Sequence, residues 1–195
     1  MKPYFAGSSR FVIAVTVLIL VFAAFPASVT GKEKASIENI IIANTRDDLI
    51  AYFDVADAFT EKMKQAVLNG IPATFSFYTS IFKPRSAWFD KEIAEKEITS
   101  TLKYNSLKEK FTITRPWHTT QVCVTETFDK ARKKMTEIDN LKIVSLDRLI
   151  KGEKYQLRIK AELKRVTLPL YLHHVLFFVS LWDLETDWHT IDFIY

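Results

Sequence analysis

Four histidines, one cysteine and one acidic run are the parts of this chain that could do chemistry. His189 lies close in sequence to Asp183 and Asp187, so a carboxylate could orient its imidazole as the general base of a hydrolase. No other His or Cys stands at zinc-ligand spacing beside it, and no cofactor is expected. His173 and His174 are adjacent in a predicted strand, where side chains alternate between faces, so they do not share a metal. Cys123 has His118 five residues upstream, but a nucleophilic thiolate needs a base held against its sulfur, and nothing in the spacing provides one. A small, half-buried strand residue is the simpler reading.

Asp90, Glu92, Glu95 and Glu97 alternate with Lys91 and Lys96. Glycoside chemistry needs two carboxyl groups about 5–9 Å apart across a cleft, and residues along one element do not supply that. Mixed charge suits a solvated face. Arg158, Lys160 and Lys164 form a basic stripe that could meet anionic lipid or an acidic partner, although Glu162 interrupts it. With four glycines in 195 residues, glycine-rich phosphate loops are largely excluded.

The elements that would position these residues read as strands more than helices. Fifteen Phe, seven Tyr and four Trp favour sheet, and 48% hydrophobic with 26% charged residues suits a packed globular core. Lys2 and Arg10 account for two of the 27 Lys and Arg; the remaining 25 face 23 Asp and Glu. So even a balance does not predict nucleic-acid binding. A single cysteine leaves packing alone to hold the domain together.

The N-terminal segment, residues 1–31, stands apart. Lys2 and Arg10 precede an apolar run over residues 11–25, then Pro26, small residues and the charged Lys32-Glu33-Lys34. This is the pattern of a secretory signal, with Val29 and Gly31 at −3 and −1 if cleavage precedes Lys32. Residues 11–29 are also long enough to span a bilayer as a retained anchor. Either way the sequence predicts delivery of residues 32–195, as one domain, across the membrane.

Strands are expected over residues 36–43 and 49–55, with a turn at Thr45-Arg46-Asp47-Asp48. A helix with Asp57 as N-cap runs to Asn69, with Phe59, Met63, Ala66 and Val67 on one stripe, Gly70 as its stop and Pro72 beyond. Residues 73–82 alternate as a strand; 88–104 read as a bulged strand; 110–115 and 120–125 follow. A second helix, capped by Thr127, is expected over residues 128–139, with Phe128, Ala131, Met135 and Ile138 on one face. Residues 155–164 show the cleanest period of two, one dry face and one wet. Residues 170–182 are apolar on both faces, and 187–195 form a last strand. Strand–strand–helix–strand–strand recurs, although residue identities of the halves do not align. The expected fold class is α+β: a twisted, largely antiparallel sheet, or two packed sheets in a sandwich-like arrangement, with two covering helices and the N-terminal hydrophobic export helix.

Several short motifs resemble the bacterial family known as domain of unknown function 4390. They are Ala66-Val67-Leu68-Asn69-Gly70-Ile71-Pro72, Trp88-Phe89-Asp90 followed by Tyr104, Tyr155, Leu168-Pro169-Leu170, Trp182-Asp183-Leu184 and Trp188. The resemblance spans most of residues 36–195; Phe89 departs from it, standing where many relatives are expected to carry a second Trp. It implies export by an N-terminal hydrophobic segment, and it brings no activity or catalytic residue with it.

The first functional expectation is a non-catalytic domain in the periplasm, free or anchored to the inner membrane through residues 11–29, binding an envelope protein or an apolar ligand. Trp88, Asp90, Trp182, Trp188 and His189 are its candidate interaction residues; aromatics crowd the C-terminal stretch from Tyr171 to Tyr195, and a sheet apolar on both faces must be covered on both. It predicts a groove or an exposed sheet edge near the C-terminal hairpin. The alternatives are a hydrolase using His189 with Asp183 or Asp187, and a membrane-tethered accessory domain of a signalling protein.

Overall fold

The computed structural model describes residues 35–164 and 184–195. The expected leader, the apolar strand with His173 and His174, and Trp182 and Asp183 lie outside them. The elements are β1 (Ser36–Asn44), β2 (Asp48–Ala56), α1 (Glu61–Leu68), β3 (Ala73–Lys83), β4 (Lys91–Asn105), β5 (Lys110–Thr114), β6 (Val122–Thr125), α2 (Phe128–Thr136), β7 (Glu137–Ser145), β8 (Lys154–Leu163) and β9 (His189–Ile194). Among the described residues, a three-stranded sheet has the order β1-β2-β7 and a six-stranded sheet the order β6-β5-β4-β3-β8-β9. Every paired neighbour is antiparallel.

Alternation places Phe75, Phe77 and Ile81 of β3, and Tyr155, Leu157, Ile159, Ala161 and Leu163 of β8, on the inner face of the larger sheet, all buried. The smaller sheet answers with Ala51, Phe53 and Val55 of β2. The sheets meet where the Phe53 ring stands edge-on to Phe77, centroids 6.1 Å apart. One continuous core takes in both sheets and both helices. Phe59 reaches Phe75 at 5.4 Å and Phe128 at 5.5 Å, which ties the start of α1 to that of α2.

α1 starts later than expected. Asp57 lies at φ +50, and an N-cap requires extended backbone. Thr60 caps instead, extended at φ −82 and ψ 161, its hydroxyl accepting from the Met63 N–H at 3.3 Å. The stop is as expected: Gly70 at φ +86 donates to the Val67 carbonyl while Ile71 donates to Ala66, the paired bonds of a Schellman ending.

α2 ends at Thr136, three residues earlier than the sequence suggests, and β7 follows at once. Residue pattern hides this strand for a physical reason. Asn140 sits at φ +52 in an irregularity opposite β2, so Ile138 and Leu141 both turn inward and are each 1% exposed. A bulged strand buries residues three apart, which imitates a helix stripe. The order strand–strand–helix–strand–strand does recur, but the pairings do not: β3 lies beside β4, whereas β7 and β8 belong to different sheets. β4 is the bulged strand expected, its extra residue at Ile93 between the pairs Ile81–Ala94 and Phe82–Glu92.

Candidate functional site

The outer face of the six-stranded sheet carries the polar half of the alternation. Two rows cross it: Glu95, Ser80, Arg158 and Thr190, then Glu92, Phe82, Gln156 and Asp192. Glu92 and Glu95 are three apart and would face opposite ways on a regular strand. The bulge at Ile93 puts both outward. Arg148, from the short 3₁₀ turn Leu146–Arg148, donates to the Ile93 carbonyl and so satisfies a backbone acceptor at the bulge.

These rows and Trp188 enclose an open cleft of about 410 Å³, lined by Ser80, Phe82, Glu92, Glu95, Arg158, Trp188 and Thr190. Arg158 is fixed on several sides. Its guanidinium lies 4.2 Å from the Phe82 ring centroid, Nη2 donates to Asp90 Oδ2 at 2.7 Å, and Nε donates to Gln156 Oε1 at 2.9 Å. Gln156 in turn donates to Asp192 at 2.9 Å. This cation is engaged within the protein. Trp188 is 49% exposed, with the Lys160 ammonium 5.8 Å from its ring, and Lys160 pairs with Glu185. Lys164 pairs with Glu97 at 2.9 Å. All three cations of the expected basic stripe thus have an acidic partner within the protein.

The acidic run is divided among three settings. Asp90 holds Arg158; Glu92 and Glu95 face the cleft without an ion-pair partner among the described residues; Glu97 accepts from Lys164 and Ser76. The hydrogen bond from Lys164, helped by that from Ser76, holds the Glu97 carboxyl below its ordinary range. In the same row as Glu97, the Tyr78 hydroxyl donates to Glu162 Oε1 at 2.7 Å. That bond to a carboxylate, with burial, pushes the phenol up to about 12.

Of the interaction residues expected from sequence, Trp188 lines this cleft, and Asp90 touches it only through its ion pair with Arg158. Trp88 does not: it stands 79% exposed on the loop between β3 and β4, beside Phe89 at 95%. His189 is exposed at the start of β9, paired through its backbone with Ile159, and is not part of the lining. Ser80, Phe82 and Thr190 are not legible as site residues in the sequence, because which rows lie side by side depends on register.

His118 lies away from this cleft. Its Nδ1 accepts from the Thr120 N–H at 2.8 Å, and Nε2 is 3.2 Å from Asp139, which also receives Arg115 at 3.5 Å. The imidazole is therefore engaged in joining the β5–β6 loop to β7, and Cys123 is a half-buried strand residue paired with Ile113. Among the described residues no cluster of three His, Cys, Asp or Glu side chains could hold a metal ion, and no helix is long and apolar enough to cross a membrane.

The chain matches no curated protein and no solved structure. Residues 32–192 match the model of a family described as a domain of unknown function (DUF4390), and over that length, most of the sequence, the chain belongs to this family.

Proposed function

We propose that this chain is an exported envelope protein whose domain binds a partner or ligand in the cleft beside β9 and does not catalyse a reaction. The observation that carries the binding half is the lining itself. Trp188 and Phe82 offer aromatic surface, Ser80 and Thr190 offer hydroxyls, and Arg158 is held rigid by Asp90, Gln156 and Phe82. Concave, partly aromatic sites with a few convergent polar groups are the usual form of a binding site. Export is supported by the positive, apolar and small-residue order of residues 1–31, and the family match begins at residue 32, just past them.

Binding is tested by placing a photo-crosslinking amino acid at Thr190, inside the cleft, or at Leu107, exposed on the β4–β5 turn. In intact cells a discrete adduct is expected from position 190 and none from 107; equal labelling at both positions would sink the reading. Export is tested by the mass of the mature N-terminus after fractionation. A periplasmic form starting at Lys32 identifies a cleaved signal, an intact membrane-bound form identifies an anchor through residues 11–29, and a cytosolic form refutes export.

A further inference from the structure

We propose that this cleft is a receptor for a primary alkylammonium group, an inference that rests on the binding function proposed above. Charge decides the sign of the ligand. Asp90, outside the lining, is paired with Arg158, whereas Glu92 and Glu95 line the opening with no cation paired to them among the described residues. Arg158 is the one guanidinium in the lining, and its donors are directed to Asp90 and Gln156, so the lining favours a positive guest.

A second, independent observation comes from the floor. Ser80 is only 4% exposed, lines the cleft, and its hydroxyl has no hydrogen-bond partner among the described residues. The hydroxyl oxygen itself is not shut off from solvent; it faces the opening, where water or a guest completes it. An ammonium group carries three donors and no acceptor. Two carboxylates and one hydroxyl oxygen, converging on one space, match that set. The methylene stem of such a guest would lie against Trp188, which is 49% exposed, while Arg158 covers the Phe82 ring and Lys160, paired with Glu185, stands over the indole, so the two carboxylates supply the attraction for the charge. A carboxylate or phosphate would meet Glu92 and Glu95 with like charge, and a neutral alcohol would leave them unneutralised. The ammonium could belong to a free di- or polyamine or to a lysine side chain of another protein; the chemistry is shared.

The full-length protein, labelled with ¹⁵N, is titrated with 1,5-diaminopentane, with N-acetyl-lysine amide, and with 1-pentanol and pentanoate as neutral and anionic counterparts. The Trp188 indole N–H and the Ser80 amide report occupancy. Saturable shifts are expected with one or both amines, weakening as salt is raised, and at least tenfold weaker in the Glu92→Gln/Glu95→Gln double variant. Both residues are exposed, so this variant keeps the fold, and Ser80→Ala tests the floor separately. Response to the diamine alone identifies a free amine, and response to the lysine amide identifies a protein side chain. No saturable shift with either amine, equal binding of pentanol or pentanoate, or an undiminished response in the double variant overturns the ammonium assignment. If adducts at position 190 persist in that case, the cleft still binds a partner and only the charge inference has failed; if they are also absent, the binding reading fails with it.

Discussion

The two sheets are joined through Phe53 and Phe77, and a double-mutant cycle on these rings tests the packing that sets the cleft on its scaffold. Phe53 is 2% exposed and Phe77 fully enclosed, with edge-to-face geometry at 6.1 Å. Each Phe→Leu change removes buried ring volume and should cost about 1–3 kcal/mol, the usual range for a core substitution that leaves part of the site filled. The double variant should lose less than the sum, because the second change no longer removes the ring–ring contact. Aromatic pairs of this geometry carry about 0.5–1.5 kcal/mol beyond their area, and that is the coupling expected. Urea unfolding, read as midpoints at constant slope, measures all four corners of the cycle. Phe77→Leu combined with Val124→Ala is the control: Val124 is exposed on β6, three strands from β3, so these effects should add within about 0.5 kcal/mol. A Phe53–Phe77 coupling no larger than that control would refute the contact between the sheets.

Four further outcomes follow from local geometry. Thr60→Ala removes the hydroxyl that caps α1 and should cost about 1 kcal/mol in the same urea assay, whereas Asp57→Ala should not lose a cap. Gly70→Ala should cost about 1 kcal/mol through backbone strain. The strain acts alone there, since φ is +86 and an added Cβ would meet nothing within 4 Å, so a neutral result would deny the left-handed ending. Proton linkage gives the third. Glu97, its carboxyl depressed by Lys164, contributes stability that is present above its unfolded pKa and lost as pH falls through its lower folded pKa, so Glu97→Gln should flatten the acid limb of the stability curve. Tyr78, raised to about 12 by Glu162 and burial, should titrate above the ordinary tyrosine value of about 10 in ¹³C-tyrosine NMR, and Glu162→Gln should move it back toward 10.

Local pattern makes several of these elements readable. β8 is plain because five apolar residues alternate with five polar ones, and the stop of α1 is plain because Asn-Gly-Ile-Pro admits a left-handed turn and then forbids helix. β7 is obscured because Ile138, spaced three from Met135, continues the stripe of α2 until Asn140 and the pairing with Ala51 and Phe53 claim it for the sheet. Asp57 looks like a cap by residue type, but a side chain's capping role depends on its own backbone angles. The acidic run is visible as composition and its division is not: Asp90, Glu92, Glu95 and Glu97 meet different partners because β8 lies beside β3 in one register.

Residue type and spacing alone determined most of the strands, with β7 the exception, both helix regions, the apolar leader pattern and the family to which residues 32–192 belong. Tertiary structure decided which strands share a sheet, which carboxylates stay unpaired, and that Ser80, Trp188 and Arg158 border one space. The reason is the range of the forces involved. Alternation and capping act over a few neighbours along the chain. Ion pairing and cleft formation join residues as far apart as Asp90 and Arg158, and bulges such as the one at Ile93 reset the facing of every residue beyond them.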